Sequence, residues 1–289
     1  MVFSVQKIPG SLLVAAAKGG VGKTATATSL AACWAERGIP TLLVDTDPQA
    51  SATRALGLDP EATGEGRGLV EAIAHGESLR VFDSPGRPNL GVVPAGMETR
   101  HASTHLVTAP DGPARFSAAF EGLGDRWAVK VFDSPPTVLG SRLSEVVLCA
   151  SETLVAPCSG NVEDIEGLRG LGAVCEALDA GIVVLGVAMT RVPTAATRRR
   201  ADALAVVTEL LDGFAAPFAT VVRDAPAAWN ASMSAAMLPH EFGRANRKAR
   251  RGAPRNAAGL AADIEAFAAE VWETFSEVRD LLHDEPEAA

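Results

Sequence analysis

The chain has 289 residues, 47% of them hydrophobic, with 26 basic and 35 acidic side chains and a formal net charge of -9. That balance excludes a protein whose whole surface binds nucleic acid, and a chain of this length buries a core without disulfide or metal staples. Cys33, Cys149, Cys158 and Cys175 form no C-x-x-C pair and no cysteine–histidine cluster, which speaks against a zinc site and for a reducing, cytoplasmic setting; no apolar run reaches the length of a membrane span or signal peptide.

In chain order, SLLVAAA (11–17) predicts a buried strand, followed by a helix through TATATSLAACWAERG that ends at Gly38. PTLLVD (40–45) predicts a second strand. The stretch from about 57 to 125 contains DPEATGEGRG, SPGRPN and TAPDGP and is expected to be an irregular insertion. VKVFD (129–133), ETLVAP (152–157), IVVLGVAMT (182–190) and FATVV (218–222) predict further strands. Between them, GNVEDIEGLRGLGAVCEALDA and TAATRRRADALAVVTELLDG carry helical spacing, and a last helix is expected over about 256–282. Strand–helix alternation implies an α/β fold: a mostly parallel twisted sheet covered by helices on both faces. With no internal repeat and no linker, residues 1–289 read as one domain.

The first strand runs into AAAKGGVGKTATAT (15–28). Gly19, Gly20 and Gly22, with Val21 between, allow the backbone to turn its N–H groups around a phosphate. Lys23 suits the β- and γ-phosphates, and the Thr24 hydroxyl suits Mg²⁺. The following helix adds its positive end. In LLVDTDPQASAT (42–53), Asp45 and Asp47 fall at the C-terminal end of the second strand, where open parallel sheets bind ligands. Such a pair suits a metal-bound water and an attacking water. VFDSP occurs twice, at 81–85 and 131–135. A carboxylate supporting magnesium ends a central strand before a mobile loop; Asp133 fits and Asp83 does not.

These pieces together resemble the ParA/MinD group of P-loop ATPases. KGGVGKT matches that group's deviant Walker A box, K-G-G-x-G-K-S/T; LLVDTDPQASAT is similar to its second box, and VFDSPPTVLG to its Walker B and switch loop. LVAPCSGNVEDIEGL, AMTRVPTAATRRRADAL and TVVRDAPAAW are similar more loosely, so the resemblance runs from about 11 to 275. It implies ATP and Mg²⁺ as ligands, and a homodimer formed on ATP in which Lys18 reaches the partner's phosphates. It also implies phosphate and metal contacts from Lys23 and Thr24, water positioning by Asp47, and support of the metal shell by Asp45 and Asp133. Ala25 stands where a second threonine is common, and Asn161 where an acidic or hydroxyl residue is frequent. Thr190, Arg191 and the loop after Val222 are expected around the adenine. Hydrolysis is expected to be slow without a partner.

Within the group, a tyrosine kinase needs a tyrosine-rich tail, and this chain has no tyrosine. A MinD-like membrane ATPase ends in a basic amphipathic helix, whereas this chain ends LLHDEPEAA. Iron–sulfur members place cysteines where Cys149 and Cys158 are not. The ParA branch is left: DNA-segregation ATPases that bind duplex DNA without sequence preference, sit on the nucleoid and work with a ParB-like partner. Arg198, Arg199, Arg200, Arg223, Arg244, Arg247, Lys248, Arg250, Arg251 and Arg255 are the expected phosphate-contacting cations. About ten residues precede the first strand, so no operator-binding domain is expected there. The alternatives are a ParA-like positioning ATPase for a protein cargo and a nucleotide-switched regulator.

Overall fold

The computed structural model describes residues 5–109, 111–135, 141–193, 207–209, 215–246 and 254–284. Seven strands form one sheet: β1 (Ile8–Val14), β2 (Thr41–Asp45), β3 (Phe82–Asp83), β4 (Leu90–Val93), β5 (Val129–Asp133), β6 (Ser151–Cys158) and β7 (Val183–Met189). Their order is β3-β4-β2-β5-β1-β6-β7, and every pairing is parallel except β3 with β4. Alternation along the strands feeds two cores. Leu13, Leu42, Val44 and Phe132 point into one, and Leu12, Val14, Leu43, Val129 and Val131 into the other. Burial on both faces is what a parallel sheet requires.

Helix α1 (Lys23–Glu36) follows β1 and is buried along most of its length. It stops where Gly38 adopts φ 82° and Ile39 donates to the Trp34 carbonyl, just before Pro40. Trp34 is fully buried, donates from Nε1 to the Ala268 carbonyl at 2.8 Å, and packs on Trp272 and Phe275. Those partners lie on the last helix, Ala257–His283, which thereby covers the same face as α1.

The region 57–125 differs from the irregular insertion expected of it. After the short α2 (Ser51–Ala55), it holds α3 (Arg67–His75), strands β3 and β4, α4 (Ala102–Thr108) and α5 (Gly112–Glu121). Leu69, Val70, Ile73, Leu106, Phe116 and Phe120 bury themselves against the sheet, and the rings of Phe116, Phe120 and Phe132 lie 5.2 to 6.2 Å apart. The elements are short and divided by turns, so no single window carries a full periodic signal. The same face is completed by α6 (Arg142–Ala150) and α7 (Val162–Ala177), and α8 (Pro226–Ser234), α9 (Pro239–Asn246) and α10 (Ala257–His283) join α1 on the opposite face.

FATVV (218–222) is not a regular strand. Pro217 and Arg223 make isolated parallel bridges to Val187 and Val192, while the Ala219 and Thr220 N–H groups donate to the Glu270 carboxylate of α10. A side chain from the covering helix takes the place of the sheet ladder there. Most of TAATRRRADALAVVTELLDG, and residues 136–140 after Asp133, lie outside the described residues. No described helix is long and apolar enough to cross a membrane.

Candidate functional site

The C-terminal ends of β1, β2, β5 and β7 meet at one edge of the sheet, beside a cleft of about 710 Å³. Its lining includes Gly19, Gly20, Gly22, Lys23, Thr24, Ala25, Asp47, Thr190 and Arg191. Gly20 and Gly22 hold φ of 82° and 95°, a region open to glycine. Gly22 offers α1 no capping side chain, and the first turn of α1 has no acidic residue. The orphan N–H groups and positive end of that helix are therefore left for an anion.

The two lysines of the loop point to different places. Lys23 is buried and donates to the Lys18 carbonyl at 2.8 Å; burial lowers its pKa, and Asp133 and Asp47 work against that shift. The side chain of Lys18 is 45% exposed and pairs with Glu163 in the first turn of α7. Asn161, flagged as a departure from the family pattern, caps that helix by accepting from the Asp164 N–H at 2.8 Å.

Asp45 and Asp133 are register neighbours on β2 and β5 and are both fully buried. Their surroundings differ. Asp45 accepts from the Asp47 N–H at 3.1 Å, the Thr53 N–H at 2.9 Å and the Thr53 hydroxyl at 2.7 Å. Burial still pushes its pKa up to about 6. Among the described residues neither oxygen of Asp133 has a hydrogen-bond partner, although the Thr24 hydroxyl is near enough to favour its ionised form. Burial and then the Asp45 carboxylate raise its pKa well above the ordinary range, while Thr24 and Lys23 draw it down. An orphaned buried carboxylate beside a phosphate loop has the donor chemistry of a magnesium shell, and Asp133 with Thr24 would hold that ion. Asp45 belongs to the same cluster, with its oxygens committed to shaping the turn that carries Asp47. Asp47 lies in the cleft wall and accepts from the Gln49 N–H at 2.9 Å. Asp83, with the same local spelling as Asp133, sits on the antiparallel edge strand and pairs with Arg126 at the surface.

Thr190 and Arg191 also reach the loop, through its carbonyls. The Thr190 hydroxyl donates to Val21 O at 2.7 Å, and the Arg191 guanidinium donates to Gly20 O. Past them the cleft is walled by Val222, Arg223, Asp224, Ala225, Pro226, Trp229 and Asn230, all but the last within TVVRDAPAAW and the loop after Val222 expected around the adenine. Asn230 on α8, just past that block, was not reached by the sequence reading, because only tertiary packing brings that helix to the loop.

The expected basic surface divides in two. Arg223 is held by Asp263, with Nε–Oδ2 at 2.5 Å and Nη2–Oδ1 at 2.9 Å, and Arg244 by Glu36 and Glu265. Gly259 makes room for the Arg223 guanidinium, since a Cβ there would come within 2.2 Å of it. Both cations are thus answered within the chain, and Arg223 faces the cleft. Arg255 is exposed. Arg198, Arg199, Arg200, Arg247, Lys248, Arg250 and Arg251 lie outside the described residues. A gathering of Glu36, His240 and Glu241 resembles a metal cluster. Arg87 grips Glu241 at 2.7 and 2.8 Å and Arg244 grips Glu36, so the group works as an ion-pair hub between α1 and α9.

Residues 11–181, more than half of the chain, match the model of a family described as an AAA domain. The chain is 31% identical over 177 residues to the sporulation initiation inhibitor protein Soj of Bacillus subtilis, covering 60% of this chain and 69% of that protein. It is 36% identical over 166 residues to the chromosome-partitioning ATPase Soj of Thermus thermophilus, covering 57% of this chain and 61% of that one. In fold it is similar to McdA of Cyanothece solved as an ATP complex, with a TM-score of 0.74 at 20% identity over 93% of this chain and 97% of the other. The alignments to the two Soj proteins thus take in between 61% and 69% of their lengths. With a complete deviant phosphate loop, an α/β sheet of matching architecture and these relatives, the chain belongs to the ParA-type P-loop partition ATPases.

Proposed function

We propose that this protein hydrolyses ATP to ADP and phosphate, pairs with a second copy when ATP is bound, and in that state binds duplex DNA without sequence preference to segregate it. The observation that carries the reading is the division of labour between the two lysines. Lys23 is buried in its own loop, whereas Lys18 stands at the rim with a half-exposed side chain. A cation at the rim serves a neighbouring subunit's triphosphate better than its own, and two such cations brought together need phosphate charge between them.

Lys23 and the loop N–H groups would bind the β- and γ-phosphates, and Asp47 would orient the attacking water. When bound to Asp133 and Thr24, a magnesium ion would neutralise phosphate charge and help fix the triphosphate. Turnover by the isolated protein is expected to be slow, with a ParB-like partner completing the site. Arg198 to Arg200 and the cations at 247, 248, 250 and 251 are the proposed DNA contacts, doubled on dimerisation.

Filter binding of arbitrary duplex DNA, with ADP or a non-hydrolysable ATP analogue, tests this. Retention is expected only with the analogue, falling steeply with salt. Lys18→Ala should abolish retention and analogue-driven dimerisation, and Arg250→Glu with Arg251→Glu should abolish retention alone. Equal retention with either nucleotide, or none at low salt, would overturn the DNA reading.

A further inference from the structure

Thr190 and Arg191 follow β7 and stand against the phosphate loop, yet neither contact made by their side chains there is of the kind that reads a base. Two successive carbonyls of the loop, Gly20 O and Val21 O, accept from two successive residues, Arg191 and Thr190. A third, Lys18 O, accepts from Lys23. In a peptide the carbonyl and the N–H of the following residue point in opposite directions. The Gly20 and Val21 carbonyls are held by the Arg191 and Thr190 side chains, so the Val21 and Gly22 N–H groups are directed the opposite way.

The placement of the pair is itself determined. Thr190 is buried and its N–H donates to Cys158 O at 2.8 Å, the last rung toward β6. Two residues later Val192 pairs instead with Val222 and Arg223, donating to Val222 O at 3.2 Å. Arg191 stands between these rungs with φ 56°, a left-handed backbone that a non-glycine residue rarely adopts. Among the described non-glycine residues with positive φ, it is the one that lines the cleft. Strain of this kind persists where surrounding contacts over-determine it. The approach is also close at Gly22, where an added Cβ would meet the Thr190 hydroxyl at 3.4 Å.

We infer that Thr190 and Arg191 are positioning residues of the phosphate loop, which pre-set its N–H groups for the triphosphate, and that the base is bound further along the cleft. This rests on the ATP reading above. It differs from an adenine-contact role in one measurable respect: the pair acts on phosphate affinity whether or not a base is attached.

The test is calorimetric titration of the full chain with Mg·ATP and, separately, with inorganic tripolyphosphate, which has no base. Thr190→Val leaves the Val21 carbonyl without its donor and should weaken both ligands about tenfold. Arg191→Ala should weaken both about threefold or more. Thr190→Ser keeps the hydroxyl and should restore both affinities. Arg191→Gly relaxes the backbone but lacks the guanidinium and should behave as the alanine variant does. Thermal melts of each variant without ligand identify the folded samples that are compared. Weaker Mg·ATP binding with unchanged tripolyphosphate binding would overturn the inference in favour of a base contact, and so would unchanged affinity for both. Failure of the unmodified protein to bind either ligand would instead remove the ATP reading and this inference with it.

Discussion

Both edges of the sheet bury ionisable groups, and they differ in how one carboxyl, Asp133, is treated. At the N-terminal edge, Lys7 donates to Ser151 O at 2.6 Å and Ala180 O at 2.7 Å, and Lys130 to Pro9 O at 2.8 Å. Glu152 there accepts from the Gly10 N–H at 2.7 Å and pairs with His283 at 3.0 Å. At the C-terminal edge neither oxygen of Asp133 has a hydrogen-bond partner among the described residues. Burial lowers the pKa of Lys7, Lys130 and Lys23 alike. A shifted pKa is therefore common to both edges; among the lysines and carboxyls named, only Asp133 goes without a hydrogen bond. A fold keeps such a group where a ligand completes it.

The largest expected effect comes from removing the unanswered charge. Asp133→Asn should lower ATP turnover at least about a hundredfold, while raising the melting temperature of the nucleotide-free protein by about 2–4 °C, because a buried carboxylate without partners is replaced by a neutral group. A lower melting temperature would show that Asp133 is compensated and would erase the contrast between the edges.

At the answered edge the opposite pattern is expected. Glu152→Gln weakens the interactions with the Gly10 N–H and His283, so the protein should lose about 1 kcal/mol in urea unfolding. Turnover per folded molecule should stay as it was. A selective loss of turnover would tie that edge to catalysis.

The smallest effect is a pH slope. The folded-state pKa of Asp45 is raised to about 6, and that of Asp133 is raised too, so the folded protein binds protons more tightly than the unfolded chain. The stability they contribute is complete below the ordinary carboxylate range and is lost as pH rises above about 4, through about 6 for Asp45. Glu36 acts with the other sign. Burial would raise its pKa, yet His240 and Arg244 draw it down to about 2, so its contribution is lost as pH falls below about 4.5. Melts between pH 4.5 and 6.5 lie above the Glu36 window: stability should decline with rising pH, and Asp133→Asn should flatten the decline. An unchanged slope in that variant would assign the titration elsewhere.

Much of the site could be read from spacing because its chemistry is local. The loop at 18–24 needs particular residues at consecutive positions, and Asp45 and Asp133 follow apolar runs whose burial is written in composition. The region 57–125 was opaque for the converse reason: its helices are short and draw their stability from a sheet they meet only in space. FATVV was misleading because Glu270, some fifty residues on, supplies the N–H partners that a neighbouring strand would have supplied.

The residues alone therefore determined a phosphate loop, a mostly parallel sheet, the acidic positions at its ligand edge and the resemblance that orders them. The tertiary structure decided that Asp45 is committed while Asp133 is not, and that Arg223 and Arg244 are neutralised by acidic side chains from other elements. It also decided that Thr190 and Arg191 meet loop carbonyls. Spacing along a chain dictates backbone conformation and the face a residue occupies. Whether a polar atom finds a partner depends on groups far away in sequence, and only packing brings those together.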